Sequence, residues 1–211
     1  MYFVYNPQGL GDVVLAAVDH APEGERVVER AGDAVLIRRR EDGTLAGINL
    51  FRFSQYTTWP VVGVALASQE RVDLFNAALA QAGVGERLTF VPRIVVGRVV
   101  EKAPHPQADK LSVCRVDVGD GRLRQIVCGA PNVAAGQTVV VALPGAVLPN
   151  GLRIQPAQLR GVDSEGMICA ARELGMKGAP QQKGILVLDE RAYPVGAPFA
   201  EHDYAQVKRG A

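Results

Sequence analysis

LSVCRVDVGDGRLRQIVC, residues 111–128, decides the fold of the half of the chain in which it lies. In its first eight residues Cys114, Val116 and Val118 share one face while Arg115 and Asp117 take the other, the period-two pattern of a strand with one packed side. GDG at 119–121 supplies the positive backbone angles of a tight hairpin, and RLRQIVC at 122–128 returns as a second strand. Working outward, RIVVGRVVE (93–101), QTVVVAL (137–143) and KGILVLD (183–189) add three more β-branched runs. Five such runs separated by turn chemistry predict an all-β, OB-type barrel of five strands rather than a sandwich. Gly97 lets the first of them bend at a barrel corner. Between the fourth and fifth strands lies a long insertion, LPNGLRIQPAQLRGVDSEGMICAARELGM (148–176), and insertions at a barrel mouth carry function.

The amino-terminal half has a different rhythm. MYFVYN, DVVLAAV, DAVLIRRR and TLAGINL read as short strands of a small sheet. GLGDVV at 9–14 lacks a third glycine and a following helix pattern, so it predicts a hairpin turn and not a nucleotide loop. From Ser68 the period lengthens: Ser68 caps, Glu70 sits in the first turn, and Val72, Phe75, Leu79 and Ala82 form an apolar stripe up to Gly83. One helix near 68–82 on a sheet predicts an α+β domain over residues 1–88. GVGERLTFVP (83–92) reads as the connection to the OB-fold domain, residues 89–211. The tail AQVKRGA (205–211) is expected to fray.

Composition narrows the function. The 211 residues carry a net charge of +1 with 48% apolar and 21% charged side chains, ordinary for a globular protein. The longest apolar run, TVVVALPGAVLP, is broken by Pro144 and Gly145, so no segment reads as a membrane helix. No secretory signal precedes the first strand, and the expected compartment is the cytoplasm. Residues 1–90 hold 8 Lys/Arg against 11 Asp/Glu and residues 91–211 hold 15 against 11, so the carboxy-terminal half is the basic one. That asymmetry permits a polyanionic partner, and it also describes a solvated charged face.

Catalysis has one candidate constellation: Cys128 as nucleophile, His105 as base and Asn132 as orienting group. Cys128 falls inside an apolar strand, where a thiolate is disfavoured, so no catalytic residue is assigned. Cys114, Cys128 and Cys169 lack paired spacing and read as buried reduced thiols. His20, His105 and His202 lie in separate segments, which predicts neither a metal site nor a cofactor. Binding uses more of the sequence. Arg98, Lys102, Lys110, Arg115, Arg122 and Arg124 crowd the first three barrel strands, and Arg153 and Arg160 lie in the insertion, where cations can neutralise a phosphate backbone. From residue 90 onward the aromatic residues are Phe90, Tyr193, Phe199 and Tyr204, too few to stack successive bases, which favours recognition of a folded RNA by shape.

Three ordered motifs, VVGRVVEKAPHPQADKLSVCRVDVG, QIVCGAPNVAAGQTVVVALPGAVLP and LRGVDSEGMICAARELGM, make the carboxy-terminal half resemble the tRNA-binding OB-fold module. That module is found near the amino end of the bacterial phenylalanyl-tRNA synthetase beta subunit and in free-standing tRNA-binding proteins. A small amino-terminal domain followed by this module is similar to the YtpR type, and a complete synthetase subunit is far longer. The resemblance implies non-catalytic tRNA binding. It implies a phosphate contact for Lys110 in HPQADKL, with His105, Pro106 and Asp109 shaping that loop, and a loop amide from Asn132 near the same surface. In the LRG and SEGM segments it implies Arg160, Ser164 and Met167 as cation, hydroxyl and apolar side chain toward phosphate, ribose and base, and Arg115 joins them from the charge pattern. Two departures stand out: Ala170 replaces a serine common in the family, and Gln107 a common asparagine. A homodimer would double the contact surface. The rival readings are a protein-interaction adaptor associated with a synthetase and a Cys128-dependent hydrolase or transferase.

Overall fold

A computed structural model describes residues 1–19 and 24–209; His20, Gly210 and Ala211 lie outside the described residues. The chain separates into two compact units, Met1–Val91 and Pro92–Ala211.

In the first unit, β1 (Tyr2–Tyr5), β2 (Val13–Ala17), β3 (Arg26–Ala31), β4 (Ala34–Arg39), β5 (Leu45–Phe51) and β6 (Gly63–Leu66) form one antiparallel sheet in the order β3-β4-β5-β2-β1-β6. GLGDVV lies in the β1–β2 hairpin, in which Tyr5 pairs with Val14. Helix α1 runs Gln69–Gln81; the Ser68 hydroxyl accepts from the Arg71 N–H, and the chain leaves it through Gly83 at φ 74°. Val72, Phe75 and Leu79 bury against the sheet beside Phe3, Phe53 and Trp59, with the Phe3 and Trp59 ring centroids 4.9 Å apart. The buried Asn76 side chain donates to the Leu88 carbonyl at 2.9 Å and accepts from the Leu88 N–H at 2.8 Å. The segment read as a connection is therefore bound to this core as far as Leu88.

With six strands and one α-helix the unit is mostly β, so the α+β expectation is corrected. The sequence reading misses its two edge strands: β6 is only four residues long, Gly63–Leu66, and β3 has no buried face to give an apolar alternation. The four central residues of β3 are all exposed.

The second unit contains β7 (Ile94–Pro104), β8 (Ser112–Asp117), β9 (Leu123–Cys128), β10 (Thr138–Ala142), β11 (Ala157–Leu159), β12 (Val162–Ser164), β13 (Met167–Ile168), β14 (Val187–Leu188) and helix α2 (Tyr204–Arg209). The main sheet runs β13-β10-β7-β8-β9, with β14 on the other end of β10, and β11 and β12 form a separate ribbon. Val99, Cys114, Val116, Ile126, Val139, Val141 and Ile168 fill the interior.

The sheet nearly closes. The Glu165 N–H donates to the Gln125 carbonyl at 2.8 Å, and the Val127 N–H donates to the Ser164 hydroxyl at 3.1 Å. The element that meets β9 thus comes from within the insertion, whereas the expected fifth strand, 183–189, contributes only Val187–Leu188 on β10. Gly97 earns its place by close approach: a Cβ there would lie 2.8 Å from Val141 Cγ2. The irregularity in β7 falls later, between Val99 and Glu101. The tail is corrected too. Tyr204–Arg209 is helical, Asp203 accepts from the Ala205 N–H at 2.8 Å, and Val207 is buried.

Candidate nucleic-acid interface

HPQADKL is the loop between β7 and β8, closed by the His105 N–H on the Leu111 carbonyl at 3.1 Å and the Leu111 N–H on the Ala108 carbonyl at 2.9 Å. His105 is only 5% exposed. Its Nδ1 accepts from the Gln107 N–H at 3.0 Å, and its Nε2 lies 3.0 Å from the Leu159 carbonyl. A carbonyl oxygen can only accept, so Nε2 is the donor. The imidazole thereby ties the loop to the β11–β12 hairpin.

At the tip of that hairpin Arg160 and Gly161 both have positive φ, 50° and 82°, the backbone of a two-residue primed turn. Arginine rarely adopts this conformation, and here it places an exposed guanidinium at the apex. A Cβ on Gly161 would stand 3.7 Å from Gln107 Oε1, so the Arg160 apex adjoins the loop that carries Lys110.

Four of the cations that the sequence places on the barrel strands already have partners. Arg98 pairs with Glu190 at 2.6 Å, Arg122 with Glu165 at 2.8 Å, and Arg124 with Asp120, while the Lys102 ammonium donates to the Val133 carbonyl at 2.8 Å. Lys110, Arg115 and Arg160 are exposed, and their side chains have no ion-pair or hydrogen-bond partner among the described residues. Arg115 stands opposite Gln125, so the two side chains share a face, and the Gln125 amide donates to the Asp163 carbonyl of β12 at 2.9 Å. That places Arg115 on the barrel side leading to the same hairpin.

The remaining residues of the predicted site divide between structure and surface. Pro106 and Asp109 are exposed in the HPQADKL loop. Ser164 is buried; its hydroxyl accepts from Val127 and donates to the Gly166 carbonyl at 3.1 Å, so its proton is committed to the barrel seam. Asn132 grips the backbone of Ile185, donating to its carbonyl at 3.0 Å and accepting from its N–H at 2.8 Å. Met167 is half-buried and lines a cavity of about 650 Å³, which Ile154, Leu159, Glu173 and Ile185 also border. At Ala170 the backbone N–H donates to the Glu173 carboxylate at 2.6 Å, so the turn that follows is capped from its third position.

Cys114, Cys128 and Cys169 are all buried free thiols. Burial raises the pKa of each, that of Cys114 to about 11, the opposite of what an attacking thiolate requires. Among the described residues no cluster of three His, Cys, Asp or Glu side chains could hold a metal ion, and no helix is long and apolar enough to cross a membrane.

Residues 94–197 match a family model described as "Putative tRNA binding domain", and residues 21–90 match one described as "Domain of unknown function". Over 197 residues the chain is 47% identical to the "Putative tRNA-binding protein YtpR" of Bacillus subtilis, covering 92% of this chain and 97% of that relative. The chain belongs to the YtpR family.

Phenylalanine–tRNA ligase beta subunits are similar over a shorter stretch. That of Bdellovibrio bacteriovorus is 52% identical over 138 residues, 63% of this chain but 17% of the subunit. That of Nitratidesulfovibrio vulgaris is 47% identical over 142 residues, 67% of this chain and again 17% of the subunit. The YtpR-family chain thus spans only a small part of these enzymes. Two features of its site escape the sequence reading: the Leu159 carbonyl that receives His105, and the cavity wall formed by Ile154, Glu173 and Ile185. A backbone acceptor leaves no mark on a sequence, and the wall residues are brought together only by the fold.

Proposed function

We propose that this protein is a non-catalytic tRNA-binding protein whose carboxy-terminal barrel is an OB-fold with a functional insertion ahead of its last strand. The rim would grip the folded RNA by its backbone, with Lys110, Arg115 and Arg160 as the phosphate contacts. The observation that carries this reading is the sorting of charge. The cations beside Glu190, Glu165 and Asp120 already have acidic partners, whereas Lys110, Arg115 and Arg160 have none among the described residues and lie on the loop and hairpin that His105 ties together or on the face leading to them. Membership of the YtpR family supports the same partner.

Catalysis by Cys128 is disfavoured because burial raises its thiol pKa, while His105 is occupied by Gln107 and Leu159 and Asn132 by Ile185. Asn132 is assigned to holding Ile185, and Ser164 to the barrel seam. The deciding experiment is a mobility-shift comparison at physiological salt of a tRNA with duplex DNA and with unstructured RNA. A clear preference for tRNA is expected. Equal or absent binding of all three would favour an adaptor that docks on another protein.

A further inference from the structure

The cavity beside Met167 combines three features that the backbone grip leaves unused. Its walls are apolar where Ile154, Met167 and Ile185 face it. Glu173 also borders it: one carboxylate oxygen is fixed by the Ala170 N–H at 2.6 Å, and the other has no partner among the described residues. Arg172 and Lys183 border it as well and are exposed. At about 650 Å³ it lies within the usual range for small-ligand pockets.

An apolar slot suits a flat ring. A carboxylate is an acceptor only, so it needs a ligand that offers donors, and cations at the mouth need an anion attached to that ring. A nucleotide satisfies all three. Among the RNA bases, guanine alone presents two adjacent donors, N1–H and N2–H, on the edge that an unpaired base exposes, and one carboxylate can accept both. Leu159 belongs both to the cavity wall and to the hairpin whose apex is Arg160, so a base entering here would come from the RNA strand lying across that hairpin. We propose that this cavity receives an unpaired guanine of the bound RNA, read by the Glu173 carboxylate and held between Ile154, Met167 and Ile185. This rests on the tRNA-binding reading and adds a base contact to it.

The test uses the full chain and a tRNA transcript, with guanines probed by a glyoxal reagent that attacks N1 and N2 of unpaired guanine. At least one unpaired guanine is expected to be protected in the wild-type complex. In Glu173→Gln the protection disappears and affinity falls about 5- to 100-fold, the range for loss of a bidentate base contact. The sign is discriminating: were Glu173 only a negative charge near a polyanion, removing it would tighten binding. The glutamine oxygen can still accept from Ala170, which preserves the turn. Inosine at the protected position, lacking N2–H, tests the same contact with the protein unaltered, and wild-type affinity for that RNA is expected to drop. Guanosine monophosphate alone, as competitor, is expected to bind far more weakly than the RNA. A wild-type tRNA complex with every unpaired guanine still reactive, or tighter binding by Glu173→Gln, overturns the base contact alone. Absence of any tRNA complex overturns the tRNA-binding reading as well.

Discussion

If Lys110, Arg115 and Arg160 each neutralise one phosphate, replacing all three by alanine should flatten the salt dependence of tRNA binding by a definite amount. Each contact displaces condensed counterions and contributes about 0.7–0.9 to the slope of log affinity against log salt, so the triple variant should lose about 2.1–2.7. Between roughly 50 and 200 mM salt the three contacts then account for a 20- to 40-fold loss of wild-type affinity, which the variant should not show. The structure supplies the control. Arg98, Arg122 and Arg124 are already paired with Glu190, Glu165 and Asp120, so the Arg98→Ala, Arg122→Ala, Arg124→Ala variant removes the same formal charge from cations that are not available to RNA. It should leave the slope within about half a unit of wild type. Equilibrium titrations at four or five salt concentrations, with each variant's fold checked by circular dichroism, measure both slopes. Equal flattening by the two triple variants would show that binding responds to net charge alone, and the assignment of a rim would fall.

Two further outcomes follow from buried groups. His105→Ala removes two hydrogen bonds and leaves the Leu159 carbonyl without its partner. It should destabilise the carboxy-terminal unit by about 1–3 kcal/mol and speed proteolysis within residues 157–164; an unchanged melt and digestion pattern would remove the tie between loop and hairpin. Burial raises the Cys114 thiol pKa from 9.0 to about 11, so folding favours the protonated thiol. The stability this confers is complete below pH 9 and is lost as pH rises toward about 11. Urea midpoints should decline across that window, and less so in Cys114→Ala. An identical decline in both would assign the alkaline loss to other groups.

Much of the barrel was legible because strand patterning is local. In LSVCRVDV the alternation of Cys114 and Val116 with Arg115 and Asp117 matches the observed burial residue by residue, and Ser68 with the Val72, Phe75, Leu79 stripe marks α1 to within a residue. Residue type and spacing suffice there, since a side chain's face is set by the backbone's own period. Edge strands such as β3 escape that logic, because their outer residues answer to solvent and the apolar signal fades.

Closure was decided elsewhere. The run at 183–189 is more strand-like in sequence than VDSEGMI, yet the barrel seam uses Ser164 and Glu165, since what counts there is which backbone can reach the free edge of β9. The same holds for function. The charge pattern alone put Lys110, Arg115 and Arg160 beside Arg98, Arg122 and Arg124, and it was the family resemblance that favoured Lys110 and Arg160. The tertiary fold adds the physical ground, by bringing acids to Arg98, Arg122 and Arg124 and by joining His105 to a carbonyl 54 residues away. Charge is written in a residue; whether that charge is already neutralised depends on neighbours remote along the chain.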